Sequence, residues 1–257
     1  KSAKLDTPTP IQDEIIEHIL AGRDVVGLAN TGTGKTAAFL VPLISMTLAN
    51  PKRQTLVLTP TRELAIQIEQ ELRKLSVGMH LYSTTVVGGA GIHPQIASLK
   101  RRNHFIVGTP GRVQDLIDRR AFRPEYVSTI VLDEADRMLD MGFINAMKRI
   151  LKDVPAERET LFFSATMSKN IEALIGDFLR DPVVISVKKQ DIANTIEQDV
   201  IRCGGKDKFS VLTDLLKQQT CTRVLLFGAM KHSVEKLGKQ LTAAGIPADS
   251  IHGNKSH

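Results

Sequence analysis

Seven short apolar runs, each continuous rather than alternating with polar residues, constrain the fold of this chain most strongly. They lie at residues 25–28, 55–59, 84–87, 105–107, 129–132, 161–163 and 183–187. Continuous apolarity predicts strands that are buried on both faces, which is typical of a parallel sheet. Stretches with helical spacing separate most of the runs, so we expect an α/β fold in which helices flank a parallel sheet.

Two of the intervening helices can be delimited from the sequence. Pro10 follows Thr9 as a proline in the first turn after an N-cap residue, and Gly22 is expected to end this helix. The stretch at 62–75 repeats the apolar helical spacing.

Polar or glycine-rich clusters follow six of the runs directly. They lie at residues 29–36, 60–63, 88–89, 109–112, 133–136 and 164–166. In open α/β sheets, ligands bind at the carboxyl ends of the strands. We therefore expect the six clusters to form one composite site.

The first cluster, residues 29–36, has the arrangement of a phosphate-binding loop between a strand and a helix. Lys35 can reach the β and γ oxygens of a nucleotide, and Thr36 can bind Mg²⁺. The strict pattern G-x-x-x-x-G-K-T fails only at Ala29, and a structural glycine-rich turn is the alternative. The candidate nucleotide-binding residues of the loop are Thr31, Gly32, Thr33, Gly34, Lys35 and Thr36.

Asp133 and Glu134 follow the apolar run at 129–132. A P-loop ATPase needs one carboxylate to hold Mg²⁺ and a second to orient or deprotonate the attacking water. Asp133 suits the first role and Glu134 the second. An acidic helix N-terminus is the alternative, but the position after a buried strand and downstream of a phosphate-binding loop favours catalysis. The expected cofactors are ATP and Mg²⁺.

Ser164 and Thr166 carry short hydroxyl side chains after another predicted strand. Both could hydrogen-bond Asp136 or Glu134 and so couple the nucleotide state to a second activity. A strand-to-helix turn whose hydroxyls are satisfied locally is the alternative.

The clusters together resemble the DEAD-box RNA helicases of helicase superfamily 2. Their order and spacing match over roughly residues 7 to 187, and alanine is usual in the family at the position of Ala29. The resemblance implies a RecA-like P-loop NTPase domain, followed by part of a second RecA-like domain. The amino-acid sequence at 133–143 and at 251–256 is most similar to that of the bacterial RhlE-like branch.

The resemblance also implies roles for individual residues. Gln12 would recognise adenine, and residues 164–166 would couple hydrolysis to strand separation. One RNA strand would lie along Pro60, Arg62, Gly88, Gly89, Thr109, Gly111 and Arg112. Hydroxyls, backbone N–H groups and arginine forks suit phosphates and 2′-hydroxyls, and none of them reads base identity. RNA binding should therefore be independent of sequence.

A polar linker at 188–194 is expected to separate an ATP-binding domain at 1–187 from part of a second domain at 195–257. Within the latter we predict strands at 197–202 and 223–227 and helices at 209–216 and 233–244. We do not find motifs V and VI of the family in this sequence, and motif VI carries the arginines that stabilise the transferring phosphate. The chain alone is therefore expected to be a weak or inactive ATPase.

Composition narrows the partners. The formal net charge of +6 permits a polyanionic partner, while an aromatic content of 4% with no Trp argues against a base-stacking platform. The two cysteines form no CxxC pair, and no apolar run approaches the about 18 residues of a membrane span, which favours a soluble protein of the reducing cytoplasm. Nothing in the sequence indicates a protein partner.

The leading hypothesis is an ATP-dependent RNA helicase that separates short RNA duplexes when its two domains close on ATP and RNA. A clamp that binds nucleotide and RNA without hydrolysis is one alternative. A DNA translocase of the same superfamily is the other.

Overall fold

The computed structural model of the protein describes residues 7–30, 32–187, 197, 199–218, 222–253 and 255. The chain divides into two compact units, which we call unit 1 (Lys1–Asp191) and unit 2 (Ile192–His257). The linker predicted at 188–194 lies outside the described residues.

Unit 1 is built on a parallel sheet of seven strands in the order β3-β4-β2-β5-β6-β1-β7. The strands are β1 (Val25–Leu28), β2 (Thr55–Leu58), β3 (Ser83–Val86), β4 (Phe105–Gly108), β5 (Thr129–Leu132), β6 (Glu159–Ser164) and β7 (Val183–Ser186). Each predicted run forms a strand, with ends shifted by two residues at most. The predicted parallel α/β fold is confirmed.

The helices of unit 1 connect these strands and cover the sheet. They are α1 (Pro10–Leu20), α2 (Lys35–Ala49), α3 (Arg62–Leu75), α4 (Ile92–Leu99), α5 (Pro110–Asp118), α6 (Ala135–Asp140), α7 (Ile144–Asp153) and α8 (Lys169–Phe178), with a short 3₁₀ helix at Pro124–Tyr126. As predicted, α1 begins at Pro10 after the N-cap Thr9, and Gly22 follows its end with φ +74°. The prediction of α3 is confirmed at both ends.

The hydrophobic core lies on both faces of the sheet. Val57 of β2 faces one core cluster, to which α1, α2 and α3 contribute their apolar stripes. Its neighbours Leu56 and Leu58 face the other cluster, which α5 to α8 complete. Successive strand residues point to opposite faces, so both positions must be apolar. This double coverage explains the continuous apolar runs.

Unit 2 contains α9 (Lys208–Leu216) and α10 (Lys231–Ala243), close to the two predicted helices. The strands predicted at 197–202 and 223–227 are wrong where the structure describes these residues, because no strand forms there. A strand needs a neighbour to pair its backbone groups, and a lone strand is not stable in water. The side chains of Leu225 and Phe227 are 74% and 92% exposed, so burial does not hold this segment either.

A polar network joins α10 to the segment that follows it in unit 2. The Glu235 carboxylate accepts a hydrogen bond from Ser250 Oγ at 2.6 Å and lies 3.1 Å from His252 Nε2. The bonds from Ser250 and His252 lower the pKa of Glu235 to about 2. Glu235 therefore anchors the chain around His252 to the helix.

Two further observations concern the cysteines and the length of the helices. Cys203 is a free thiol, and Cys221 lies outside the described residues. Among the helices that the structure describes, none is long and apolar enough to cross a membrane.

Substitution of Gly27 tests how tightly β1 packs. A Cβ atom at this position would lie 2.7 Å from Phe163 Cδ1 and 3.2 Å from Ile15 Cδ1. We expect Gly27→Ala to lower the free energy of unfolding by about 1–3 kcal/mol, the usual cost of overpacking a core. Urea denaturation followed by circular dichroism measures the change.

Gly176→Ala in α8 is the matched control. A Cβ atom there meets nothing within 4 Å, so the same substitution should stabilise the helix by about 0.5–1 kcal/mol. Equal effects at the two glycines would contradict the packing described for β1.

Candidate functional site

All predicted site residues that the structure describes, apart from Gln12, lie where strands of the sheet end. We call this side of unit 1 the carboxyl end of the sheet. The neighbouring strands β5, β6 and β1 lead into residues 133–136, 164–166 and 29–36, of which Ser164 is the last residue of β6. The neighbouring strands β3, β4 and β2 are followed by residues 88–89, 109–112 and 60–63, respectively. The candidate nucleotide residues and the candidate RNA residues thus form two adjoining groups, which meet between β2 and β5.

The loop after β1 has the backbone of a phosphate-binding loop. Gly32 and Gly34 have φ values of +82° and +90°, in the left-handed region that glycine adopts without strain. Gly34 is the N-cap of α2, so the free N–H groups of the helix N-terminus open onto the loop. Lys35 is buried and its Nζ donates to Ala29 O at 2.8 Å. An ammonium group has three donors, so donors remain for an anion.

Two threonines of this loop, Thr33 and Thr36, differ in placement. Thr33 Oγ1 donates to Asn30 O at 2.9 Å, which closes the loop on itself. Thr36 is half-buried in the first turn of α2. Thr31 lies outside the described residues.

Gln12 packs directly against the phosphate-binding loop. Its Nε2 donates to Gly34 O at 3.0 Å, and its Oε1 accepts from the Thr9 N–H at 3.0 Å. A Cβ atom at Gly34 would lie only 2.6 Å from Gln12 Nε2. The φ value of Gly34 favours glycine at this position, and any larger residue would also have to displace the Gln12 amide. This contact joins residues 22 apart in the sequence, and the helical pattern of α1 gave no sign of it.

Asp133 is a buried carboxylate at the end of β5, with 3% of its surface exposed. Its Oδ1 accepts a hydrogen bond from the Glu134 N–H at 3.0 Å. Burial raises the pKa of the Asp133 carboxyl to about 6, and the Lys35 ammonium opposes this rise. A bound cation would favour the ionised form further.

The donor set fits Mg²⁺. Among the described residues, no group of three or more His, Cys, Asp and Glu side chains could hold a metal ion. Asp133 and Thr36 supply hard oxygen atoms, and nucleotide phosphates and water would have to complete the shell. Mg²⁺ is commonly bound in this way, through one or two carboxylates together with substrate phosphates.

Glu134 has a left-handed backbone with φ +53°. For a residue other than glycine this conformation costs about 1–2 kcal/mol, so the rest of the structure must hold it in place. Its Oε2 lies 3.6 Å from Arg137 Nη1. Sequence reasoning missed Arg137, although its i, i+3 spacing from Glu134 on a short helix was a usable signal.

Asp136 connects the end of β5 to the segment after β6. Its Oδ2 accepts hydrogen bonds from the backbone N–H of Ala165, the backbone N–H of Thr166 and Thr166 Oγ1, each at 3.1 Å. Ser164 does not take part, because its Oγ donates to the Thr166 carbonyl at 2.7 Å. Of the two hydroxyls expected to reach Asp136 or Glu134, only that of Thr166 does so. Ser164 forms the local turn bond that was the alternative.

Arg112 bonds the loop that follows β3, and Arg62 lies close to it. Gly89 has φ +71°, and a Cβ atom there would lie 2.6 Å from Arg62 Nη1. Both terminal nitrogens of Arg112 donate to Ala90 O at 3.2 Å. The predicted RNA residues from three different strands are therefore in close proximity, joined by the glycine-rich loop at Gly88 and Gly89.

The remaining predicted RNA residues differ in exposure. Pro60 and Thr109 are buried at the ends of β2 and β4, and the Thr109 N–H donates to Val86 O at 3.1 Å. Gly111 is exposed, and a Cβ atom there would lie 3.8 Å from Phe143. The exposed part of this surface is thus formed by Arg62, Gly89 and Gly111, over a floor of buried residues.

Comparison with known proteins decides the family. The family model described as DEAD/DEAH box helicase matches residues 9–174, a range that contains every cluster of the candidate site. The chain belongs to the DEAD/DEAH box helicase family.

Individual relatives of this DEAD/DEAH box protein agree. The ATP-dependent RNA helicase CshA of Listeria monocytogenes serovar 1/2a is 46% identical over 248 residues, which are 96% of this chain and 48% of the relative. The CshA of Limosilactobacillus reuteri is 41% identical over 256 residues, 99% of this chain and 52% of the relative. The chain spans about half the length of these curated relatives.

A solved structure supports the same fold. The crystal structure of a DEAD box protein from the hyperthermophile Methanococcus jannaschii matches with a TM-score of 0.68 and 37% sequence identity. The match covers 97% of this chain and 68% of the other. The RecA-like fold inferred from the motifs is confirmed.

The assignment to an RhlE-like branch is not supported. The relatives carry the name CshA, with identity that extends over nearly the whole chain. The RhlE assignment used only two short stretches, and such stretches contain too few residues to separate branches of one family.

Removal of the Asp136 carboxylate tests its contacts with the segment after β6. In Asp136→Ala the backbone amides of Ala165 and Thr166 lose their acceptor, and a hydrogen bond contributes about 1 kcal/mol net. We expect both amides to exchange with solvent about fivefold faster, as measured by hydrogen exchange with NMR detection.

Thr166→Val is the control for this experiment. It removes only the hydroxyl bond to Asp136 and leaves both amide bonds in place. Unchanged exchange in Asp136→Ala would show that the carboxylate does not hold the segment.

Proposed function

We propose that the protein is an ATP-dependent RNA helicase that binds ATP with Mg²⁺ and the backbone of single-stranded RNA, and locally separates short RNA duplexes. The observation that carries this proposal is the strand order. In this order the strands that precede the phosphate-binding loop and the acidic and hydroxyl segments neighbour the strands that precede the candidate RNA residues, which supports one composite site at the carboxyl end of the sheet. Relatives named ATP-dependent RNA helicase support the same activity.

Nucleotide binding falls to the loop after β1 and to Gln12. The N–H groups at the start of α2 and the Lys35 ammonium would hold the phosphates, because both place positive charge toward an anion. Gln12, which bonds the loop at Gly34 O, would select adenine. Thr31, Gly32 and Thr33 would complete the loop around the phosphates.

Hydrolysis falls to the carboxylates after β5. Thr36 and Asp133 would hold Mg²⁺, which when bound neutralises charge on the β and γ phosphates. Glu134 would orient the attacking water and accept its proton. The left-handed backbone of Glu134 sets the direction in which its side chain leaves the main chain, and strained residues of this kind cluster at functional sites.

Coupling between the two activities would pass through Asp136. Its three hydrogen bonds join the acidic segment after β5 to Ala165 and Thr166 after β6, so a shift of either segment moves the other. Ser164 would act indirectly, since its hydroxyl fixes the Thr166 carbonyl.

The RNA strand would lie along Pro60, Arg62, Gly88, Gly89, Thr109, Gly111 and Arg112. Arg62 and Gly89 are exposed and adjacent, and an arginine beside glycine N–H groups suits phosphate oxygens without reading bases. Residues 1–187 would form the ATP-binding domain and residues 195–257 part of a second RecA-like domain, which would close on the first when both ligands are bound. A cytoplasmic location is part of the same proposal.

Glu134→Gln tests the assigned base. The amide keeps the size of the side chain but cannot accept the proton, so RNA-stimulated ATP hydrolysis should fall by about 10²–10⁴-fold. ATP binding, measured with a fluorescent analogue, should remain within a factor of two or three. Both measurements should be made on this chain and on a form extended to the length of the curated relatives.

Asp140→Asn removes one carboxylate from the same short helix, at an exposed position, and should leave hydrolysis unchanged. Equal turnover in Glu134→Gln and the unsubstituted protein would refute the assigned base. ATP and RNA binding without hydrolysis in either form of the unsubstituted protein would favour a non-hydrolysing clamp.

A further inference from the structure

A second concave surface lies at the opposite side of unit 1, where the strands begin. It is a depression of about 740 Å³ beside the starts of the neighbouring strands β4, β2 and β5. Its walls come from the segments at 51–54 and 99–104, and from the segment at 120–126 that includes the 3₁₀ helix. The four-residue strands β2 and β4 separate it from the candidate site and span about 13 Å.

Positive charge dominates this depression, and its lining residues include no Asp or Glu. The cationic side chains are Lys52, Lys100, Arg101, Arg102, Arg120 and Arg123, together with Arg53. Arg53 has a structural partner, since its Nη2 lies 2.6 Å from Glu159 Oε2. In the part of the chain that the structure describes, none of the other six forms an ion pair with a carboxylate. Arg102 Nη2 donates to the backbone oxygen Pro51 O at 2.6 Å. Cations without a carboxylate partner on a concave surface attract a polyanion.

Aromatic side chains flank the same cations. The chain has two tyrosines, Tyr82 and Tyr126, and they are 54% and 60% exposed. Tyr126 lines the depression, and Tyr82 lines an adjoining one of about 350 Å³ that shares Arg101 and Arg102 with it. The Tyr82 ring stacks on His104, with ring centroids 5.6 Å apart and an interplanar angle of 15°. We call this combined surface the basic groove.

We infer that the basic groove is a second RNA-binding surface, which holds the backbone of a single-stranded segment of the RNA bound at the carboxyl end of the sheet. Cations alone would suit an acidic peptide equally well. Exposed tyrosines beside them favour RNA, because single-stranded nucleic acids combine phosphates with unstacked bases that pack on aromatic rings. Both tyrosines are concentrated here, which offsets the low aromatic content of the chain as a whole. The inference depends on the proposed RNA function.

The test compares two charge-matched double variants of the full chain. Arg101→Gln/Arg123→Gln removes two unpaired cations from the basic groove. Arg23→Gln/Arg180→Gln removes two exposed arginines from the same side of the sheet beside β1 and β7, where they pair with Asp181 and Glu157. Binding is measured by fluorescence anisotropy with labelled single-stranded RNAs of about 6 and about 25 nucleotides, of which the first is short enough for one single-strand site and the second exceeds the range of about 4–16 nucleotides for such a site.

Only the long RNA should respond to the groove variant. Its log affinity should depend less steeply on log salt concentration, with a slope shallower by about 1.4 for two lost phosphate contacts on a single strand. Affinity for the short RNA should stay the same, and the control variant should match the unsubstituted chain at both lengths. Tyr126→Ala should weaken the long RNA severalfold without a change in slope, because it removes stacking rather than charge.

Three results would overturn the inference. They are equal slopes in the two double variants, equal losses for short and long RNA in the groove variant, and an acidic peptide that competes for the groove while long RNA does not. Arg62→Gln separates this failure from failure of the proposed function. If Arg62→Gln leaves the affinity for short RNA unchanged, the RNA site proposed at the carboxyl end of the sheet is misassigned. If Arg62→Gln weakens binding but the groove variant does not, that site stands and the basic groove does not bind RNA.

Discussion

The parallel pairing of seven strands, with helices on both faces, is the constraint on which the rest of this structure depends. Residues in the middle of the central strands fill one of two cores, as Val57 and Leu58 do on opposite faces of β2. The polar residues of the candidate site therefore lie at the ends of the strands rather than in their middle. The buried carboxylate of Asp133 marks the limit, since it follows the last apolar residue of β5 and burial already raises its pKa to about 6.

Strand order also separates the candidate residues at the carboxyl end of the sheet into two groups. The segments after β1, β5 and β6 hold the candidate nucleotide residues, and the segments after β2, β3 and β4 hold the candidate RNA residues. Within each group, the ends of neighbouring strands are about 5 Å apart. The segments that follow them can therefore contact one another through few side chains. Asp136, with its three bonds to the segment after β6, shows how little is needed to link two ends.

The side of the sheet where the strands begin, which we call its amino end, carries different residues. Its loops carry unpaired cations and the two tyrosines, whereas the carboxyl end uses glycines, backbone N–H groups and only a few arginines. Backbone donors at helix N-termini suit compact phosphate groups, and dispersed cations with exposed rings suit an extended polyanion. The two proposed binding surfaces therefore differ in chemistry: the one at the carboxyl end would suit compact phosphate groups and the one at the amino end an extended polyanion.

Local sequence determined the elements of unit 1. The apolar runs predicted all seven strands, Thr9, Pro10 and Gly22 delimited α1, and the spacing of glycine, lysine and acidic residues located the candidate site. Because these features depend on residues that are close together in the chain, they can be recognised in the sequence alone. Only the tertiary structure decided the strand order, the contact of Gln12 with Gly34 O and the pairing of Arg53 with Glu159, which lies 106 residues away. The strands predicted in unit 2 were wrong, for the residues that the structure describes, for the same reason: a strand forms only when a partner pairs its backbone, and local sequence does not reveal that pairing.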